Sequence, residues 1–305
     1  MASCHRCTPE SEDDTEIVVS RFGKIEPSQK DFIISLVQEC YNRLKPHDVS
    51  LVDLYLFERS NSMQAFLAEE GKKVGVVSAP FHKRFFAMHD AWRGLPRIML
   101  CVERMKKLPE LVQIGGIRHE VGHSVLHGSL QYYILPFPHG LRELADQFRF
   151  SSEYATNLLY LISIAVKDYE VSRLLYERCC AEDLAAYAKH MLAVTESDVA
   201  SWEMAQGEPL AEVICLISSL KAAGCASPLL KDEVHGEEIT RHLKRSISYF
   251  PPHISSLMLH KIFESFPTLG SDTFDNINSM LHRSQSIFET VFSHRAEDQA
   301  KHNMH

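Results

Sequence analysis

Apolar positions along the chain fall into two regimes. In the first hundred residues they come in short runs. Glu16–Phe22 (EIVVSRF) is predicted as a strand, and 49–58 (VSLVDLYLFE), alternating in its second half, as another. Between them Phe32, Ile33, Leu36, Val37 and Tyr41 recur at helical spacing, which predicts a helix over 29–44 with Ser28 as its N-cap. A helix over 62–70 and a strand over 73–79 (KVGVVSA) follow. Residues 80–96 read as a loop rich in aromatics (Phe81, Phe85, Phe86, Trp92), and 96–103 (PRIMLCVE) as the next strand. A short helix then leads to a longer one, from Leu111 to Gly128, with the glycine as its natural terminator.

Beyond it, 129–140 (SLQYYILPFPHG) holds two prolines and a glycine and is irregular at its end. From Leu141 on nearly everything reads as helix. The clearest segments are 153–176, 181–194, 208–223, 236–247 and 274–292, and Pro251-Pro252 breaks the last group. There is no repeat and no low-complexity tract. The expected fold class is α+β: a small mixed β-sheet with the helix that ends at Gly128, then a mainly helical C-terminal region.

Composition adds limits. Hydrophobic residues make up 45% of the 305 and charged residues 24%, as in ordinary globular proteins. The net charge of −8 argues against a general nucleic-acid or anionic-membrane binder. The first residues are polar and acidic, with no signal-peptide pattern. The longest apolar run, 158–166, is too short to span a bilayer. No membrane span is expected, and a cytoplasmic location is. Eight cysteines, several in apolar contexts such as IMLCVE and VICLIS, fit a reducing compartment better than a disulfide framework. Cys4 and Cys7 form a C-x-x-C without a second pair at metal-site spacing. The expected division is a disordered acidic tail at 1–14, a catalytic unit at 15–180, a helical region at 181–295 packed on or extending it, and a tail at 296–305. The oligomeric state is left open.

The chemistry concentrates in Arg118-His119-Glu120-Val121-Gly122-His123, an H-E-x-x-H on the predicted helix. Residues i and i+4 leave the same face one turn apart, so His119 and His123 converge on one ion. Neutral imidazole is a good zinc ligand. Glu120 lies about 100° further round, where it flanks a metal-activated water as general base. The apolar cover from Val112, Ile114, Ile117, Val121, Val125 and Leu126 turns the motif toward the core, where histidines and a carboxylate without a partner would be costly.

Catalytic zinc usually takes three protein ligands, and four candidates exist for the third: His127, His139, Asp168 and Glu170. His127 lies a turn beyond His123, and a straight helix does not wrap an ion over three turns. A dipole-favoured helix-end histidine or a pocket residue suits it better. His139 lies on a loop and could reach the metal. Asp168 shares a stripe with Leu158, Leu161, Ala165, Ser172 and Leu175, so helical phase turns it toward the core. Glu170, about 200° away with Ser163, Arg173 and Glu177, is expected on a solvated face.

H-E-V-G-H followed by Lys167-Asp168-Tyr169-Glu170-Val171-Ser172-Arg173 resembles the gluzincin branch of zincin metallopeptidases. The likeness is nearest to minigluzincins and to the family of CAAX-processing proteases, and it covers about residues 97–175. It implies that Asp168 stands on the acid that is the third zinc ligand, and Ser172 on the downstream acid that orients a zinc-binding histidine. Asp for Glu shortens the reach by one methylene, and Ser for Asp weakens the support of the histidine.

The expected activity is zinc-dependent hydrolysis of peptide or protein substrates, with His119, His123 and Asp168 on Zn2+ and Glu120 as base. Tyr169, Arg173, Tyr176 and His190 are the candidate oxyanion donors. The rivals are a zinc-stabilised regulatory or interaction protein with little turnover, and a SprT-like protease acting on nucleic-acid-bound proteins through His139. The resemblance further implies that 97–103 is an edge strand along the cleft, able to pair with an extended peptide, with 85–92 as aromatic wall, lid or core.

Overall fold

Two parallel strands cannot be joined by a tight turn, so the chain crosses over between β1 (Glu16–Phe22) and β2 (Leu51–Phe57) through helix α1 (Pro27–Leu44). Ile33, Val37, Cys40, Tyr41 and Leu44 form the buried stripe of α1. Its start is set by Pro27 in the first turn, where the missing N–H costs nothing, so Ser28 lies inside the helix instead of capping it. The computed structural model describes residues 14–73 and 84–302, with side chains to residue 293. The C-x-x-C, nearly all of the acidic tail and the strand expected at 73–79 lie outside the described residues, except that Lys73 ends helix α2 (Ser60–Lys73).

The sheet is completed by β3 (Ala87–Asp90) and β4 (Arg97–Cys101), in the order β1-β2-β4-β3. β4 runs parallel to β2 and antiparallel to β3. Two expectations are corrected here. A strand, β3, stands inside the segment expected to be loop. And β4 is interior, paired on both sides, so no peptide can add to it. All five residues of β4 are buried, the mark of a strand covered on both faces. The end of the sheet belongs to β3. Arg97 on β4 is 1% exposed and forks onto both oxygens of Asp90 on β3, at 2.8 Å each, with Glu70 at 3.2 Å.

From β4 the chain enters α3 (Val102–Met105) and α4 (Glu110–His127), which carries the motif. Gly128 follows α4 at φ −75°, not in the left-handed region; it is small because a Cβ there would strike the Ser124 carbonyl. The remainder is helical: α5 (His139–Phe148), α6 (Ser152–Glu177), α7 (Ala181–Met191), α8 (Glu196–Ala205), α9 (Pro209–Ala226), α10 (Gly236–Ser246), α11 (Pro252–Ser265) and α12 (Thr273–His302). The end of the chain expected as tail from 296 is helical through His302. The architecture is α+β, with a small mixed sheet followed by a mostly helical region.

α6 is the central strut. It packs against α4, α7, α9 and α12, so it has buried residues on every side. The segment from Pro209 to Leu229, containing α9, is long and apolar enough to cross a membrane by length and composition. In this fold α9 packs among α6, α7, α8 and α12 as a core helix. The six cysteines among the described residues are free thiols.

Candidate metal centre

α4 presents His119, Glu120 and His123 to the interior from consecutive turns, and His119 and Glu120 are buried. Opposite them α6 presents Asp168, also buried. The Nε2 atoms of His119 and His123 are 3.2 Å apart. Asp168 Oδ1 is 3.1 Å from His123 Nε2 and 3.6 Å from His119 Nε2. Ligands of a tetrahedral zinc at bonds of ~2.0–2.2 Å stand about 3.3 Å from one another. Two imidazoles and one carboxylate at this spacing therefore fit a zinc ion. Of the four candidates for a third donor, the structure brings Asp168 to the two histidines.

Asp168 meets the two histidines where α4 and α6 approach closely. Gly122 lies between the two histidines on α4 and faces α6, where a Cβ would be 2.7 Å from Val171 Cγ1. Without that Cβ, α6 sits close to α4 beside Asp168. Burial alone would raise the Asp168 pKa; the Lys221 charge and the contacts with His119 and His123 overcome it and hold the carboxyl well below its ordinary value. Burial lowers His123 to about 3, so its ring is neutral and able to donate a lone pair.

Glu120 is 7% exposed and its carboxylate has no hydrogen bond or ion pair among the described residues. Burial, with a contribution from Asp168, outweighs the attraction of His119 and Lys221 and raises it to about 7. A carboxylate with no structural bond to keep, placed beside the donor atoms and poised near neutrality, is suited to exchange a proton.

Glu170 is corrected. His127 is the last residue of α4, as expected of a helix-end or pocket histidine, and it is 1% exposed, with Nδ1 3.2 Å from His123 Nδ1 and Nε2 2.9 Å from Glu170 Oε2. Glu170 is not on a solvated face, because α12 covers that side of α6. Thr273 Oγ1 donates to its Oε2 at 2.8 Å and Asn276 Nδ2 to its Oε1 at 2.5 Å. His139 opens α5 on the surface, 84% exposed and paired with Glu143. Ser172 Oγ and His119 Nδ1 are both buried without a hydrogen-bond partner among the described residues, so Ser172 does not orient the histidine.

The four expected oxyanion donors lie elsewhere. Tyr169 packs on Phe266, Arg173 holds the Leu269 and Gly270 carbonyls, Tyr176 bonds Asp232, and His190 reaches the Arg84 carbonyl. Of the aromatics near β3, Phe86 has a core role against α4 at Gly116.

The site holds residues that the sequence did not single out. His89 on β3 lies parallel to the His123 ring, centroids 6.0 Å apart, and meets the Tyr133 hydroxyl at 2.9 Å. Tyr187 on α7 packs on His119 at 5.1 Å. Cys225 on α9 stands 3.7 Å from Asp168 Oδ2, and its thiol, His119 and Asp168 offer donor atoms within 4.8 Å of one another. Each comes from an element far along the chain, and spacing carries no signal for such residues.

Comparison with protein-family models, with curated proteins and with solved structures gives no match for this chain. The functional reading rests on its own residues.

Proposed function

We propose that this protein is a cytoplasmic zinc-dependent metallopeptidase of the gluzincin kind, hydrolysing peptide bonds with Glu120 as general base. The observation that carries the reading is the convergence of His119 Nε2, His123 Nε2 and Asp168 Oδ1 at 3.1–3.6 Å beside an unbonded, buried Glu120. Zinc bound to these three groups supplies Lewis acidity and a water made acidic near neutral pH. Glu120 holds and passes on the proton at its carboxylate. His119 and His123 are fixed on one helix face, and Asp168 is held ionised against them. Tyr187 shields the far side of His119, its phenol kept protonated by burial.

Elemental analysis of the purified protein should find one zinc per chain, and His119→Ala or His123→Ala should abolish it. Glu120→Gln should keep the metal and lose turnover of a peptide substrate by about 10²–10⁴-fold. A wild-type protein that takes up no transition metal overturns the reading.

A second reading is favoured by Cys225. A thiol this close to Asp168 and His119 could serve as a further protein donor, and a fourth protein ligand closes a zinc site and makes it structural. The protein would then be zinc-stabilised, with regulatory or interaction roles and little turnover. Cys225→Ala separates the two: a structural centre loses its metal, whereas a catalytic one keeps metal and turnover.

A further inference from the structure

We propose that a cavity beside the metal centre takes the C-terminal residue of a peptide, its apolar side chain in the cavity and its carboxylate on Lys221. Resting on the peptidase reading, this makes the protein a carboxypeptidase that removes one bulky apolar residue. The bond broken is the last peptide bond, with the hydroxyl of water going to the new C-terminus and its hydrogen to the released amine.

The cavity holds about 490 Å³ between α6, α7 and α9, within the ~300–1,000 Å³ usual for ligand pockets. Its wall is largely apolar, with Phe85, Leu161, Ile164, Met191, Val194 and Ala222. Tyr160, 60% exposed, stands at its rim. Two cations line it. Arg84 is taken up, donating to the Met191 and Ala193 carbonyls and to Asp198 at 2.6–2.9 Å. The Ser218 and Ser219 hydroxyls are likewise spent, on carbonyls of α9 itself. Lys221 differs. Its Nζ lies 4.2 Å from the Phe85 ring centroid, and among the described residues it meets no carboxylate or carbonyl. An ammonium resting on a ring face keeps its N–H donors for an anion.

Helical phase sets where that cation stands. On α6, Leu161 and Ile164 line the cavity, and Asp168, four residues on, meets His123. On α9, Lys221 and Ala222 line it, and Cys225, one turn on, meets Asp168. The two helices are pressed together in that turn, where a Cβ on Gly224 would be 2.5 Å from the Ala165 carbonyl oxygen. On α7, Met191 lines the cavity, and Tyr187, one turn back, packs on His119. Cavity and metal centre are thus successive layers of one helical stack, with Lys221 at the layer boundary. A helical turn rises ~5.4 Å. A peptide carbonyl beside His119 and Asp168 has the carboxylate of the next residue ~3.5 Å further on, so a single terminal residue brings it within reach of Lys221. Its side chain then enters the cavity. An aspartate or glutamate side chain on Lys221 would leave most of the apolar wall bare. β4, paired on both sides, cannot hold a substrate by its backbone, whereas a carboxylate on Lys221 holds it by its end.

The test has two readouts. The first is calorimetric binding of N-acetyl-leucine to the full-length chain, with N-acetyl-leucinamide and octanoate beside it. The acid should bind at least about 10-fold tighter than the amide; Lys221→Met should weaken it by about 10–100-fold, and Lys221→Arg should keep most of the affinity. The second is product mapping by mass spectrometry with the zinc-loaded protein. A peptide ending in free leucine should lose that residue alone, and its C-terminal amide should be cut at least about 10-fold more slowly. Ala222→Phe, which fills the cavity, should shift preference from leucine to alanine termini. Equal binding of acid and amide overturns the proposal, as does affinity unchanged in Lys221→Met. Octanoate binding tighter than N-acetyl-leucine also overturns it and marks a fatty-acid pocket. Cleavage at internal bonds whatever the terminus overturns it and leaves the peptidase reading standing. Binding of the acid through Lys221 with no peptide cleaved sinks the peptidase reading and retains the cavity as a site for peptide C-termini.

Discussion

At Arg97 every buried charge is answered. Its guanidinium meets both oxygens of Asp90 and one of Glu70, and Glu70 in turn meets Arg93 and Lys73. At His119 the opposite holds. Three donor atoms face one another, and among the described residues Glu120 has no hydrogen bond and His119 Nδ1 no partner. Both clusters are buried, so burial does not distinguish them. The difference lies in saturation. A cluster in which each donor has its acceptor pins one element to another, here the end strand β3 to β4, and has nothing left to bind with. A cluster with donor atoms left over is the kind that a bound cation would complete, and the metal reading proposed for it rests on that.

The largest effect expected from breaking this contrast is at the saturated cluster. Arg97→Met strands Asp90 and Glu70 as buried acids, and removing one partner of a buried ion pair costs about 3–5 kcal/mol. Denaturant unfolding should show that loss, while zinc affinity of the folded fraction stays close to wild type. Equal losses of both would mean that the two clusters are one unit. A smaller effect is expected where the site is sharpened by close approach. Gly122→Ala puts a methyl group 2.7 Å from Val171 and should cost about 1–3 kcal/mol as overpacking. Unlike Arg97→Met it should weaken zinc binding too, because moving α6 withdraws Asp168. Unchanged affinity would show that Asp168 reaches the histidines by side-chain adjustment alone. The smallest effect belongs to His139, exposed on α5. His139→Ala should change stability by less than about 0.5 kcal/mol and leave metal content intact. A loss of zinc in this variant would return the SprT-like arrangement.

Local pattern carried a good deal of this. The i,i+4 histidines, the phase of Asp168 and the course of β1, α1 and β2 all depend on neighbours within a few turns, and periodicity reports such neighbours. What failed was whatever a distant element decides. Glu170 has the phase of a solvated residue on α6 taken alone, yet α12 lands on that face and buries it. β4 was assigned to an edge by analogy, although its unbroken run of buried residues is what an interior strand requires. β3 is four residues long and carries no alternation strong enough to separate it from a loop. Cys225 and Tyr187 reach the site only because α9 and α7 fold back on α6 and α4.

Glu170 and Asn276 are separated by 106 positions in the chain. On a ribosome that interval is time. A chain emerging at about 5–20 residues per second exposes both histidines and Asp168 several seconds before Asn276 is made. During that interval Glu170 has no α12 to hold it. The surroundings of the cluster are complete only once the last helix has been synthesised and has docked, so a metal held there as proposed would be acquired at the end of the protein's biogenesis. A nonsense mutation just upstream of α12 would then yield a chain that keeps His119, His123 and Asp168 and leaves Glu170 without Thr273 and Asn276.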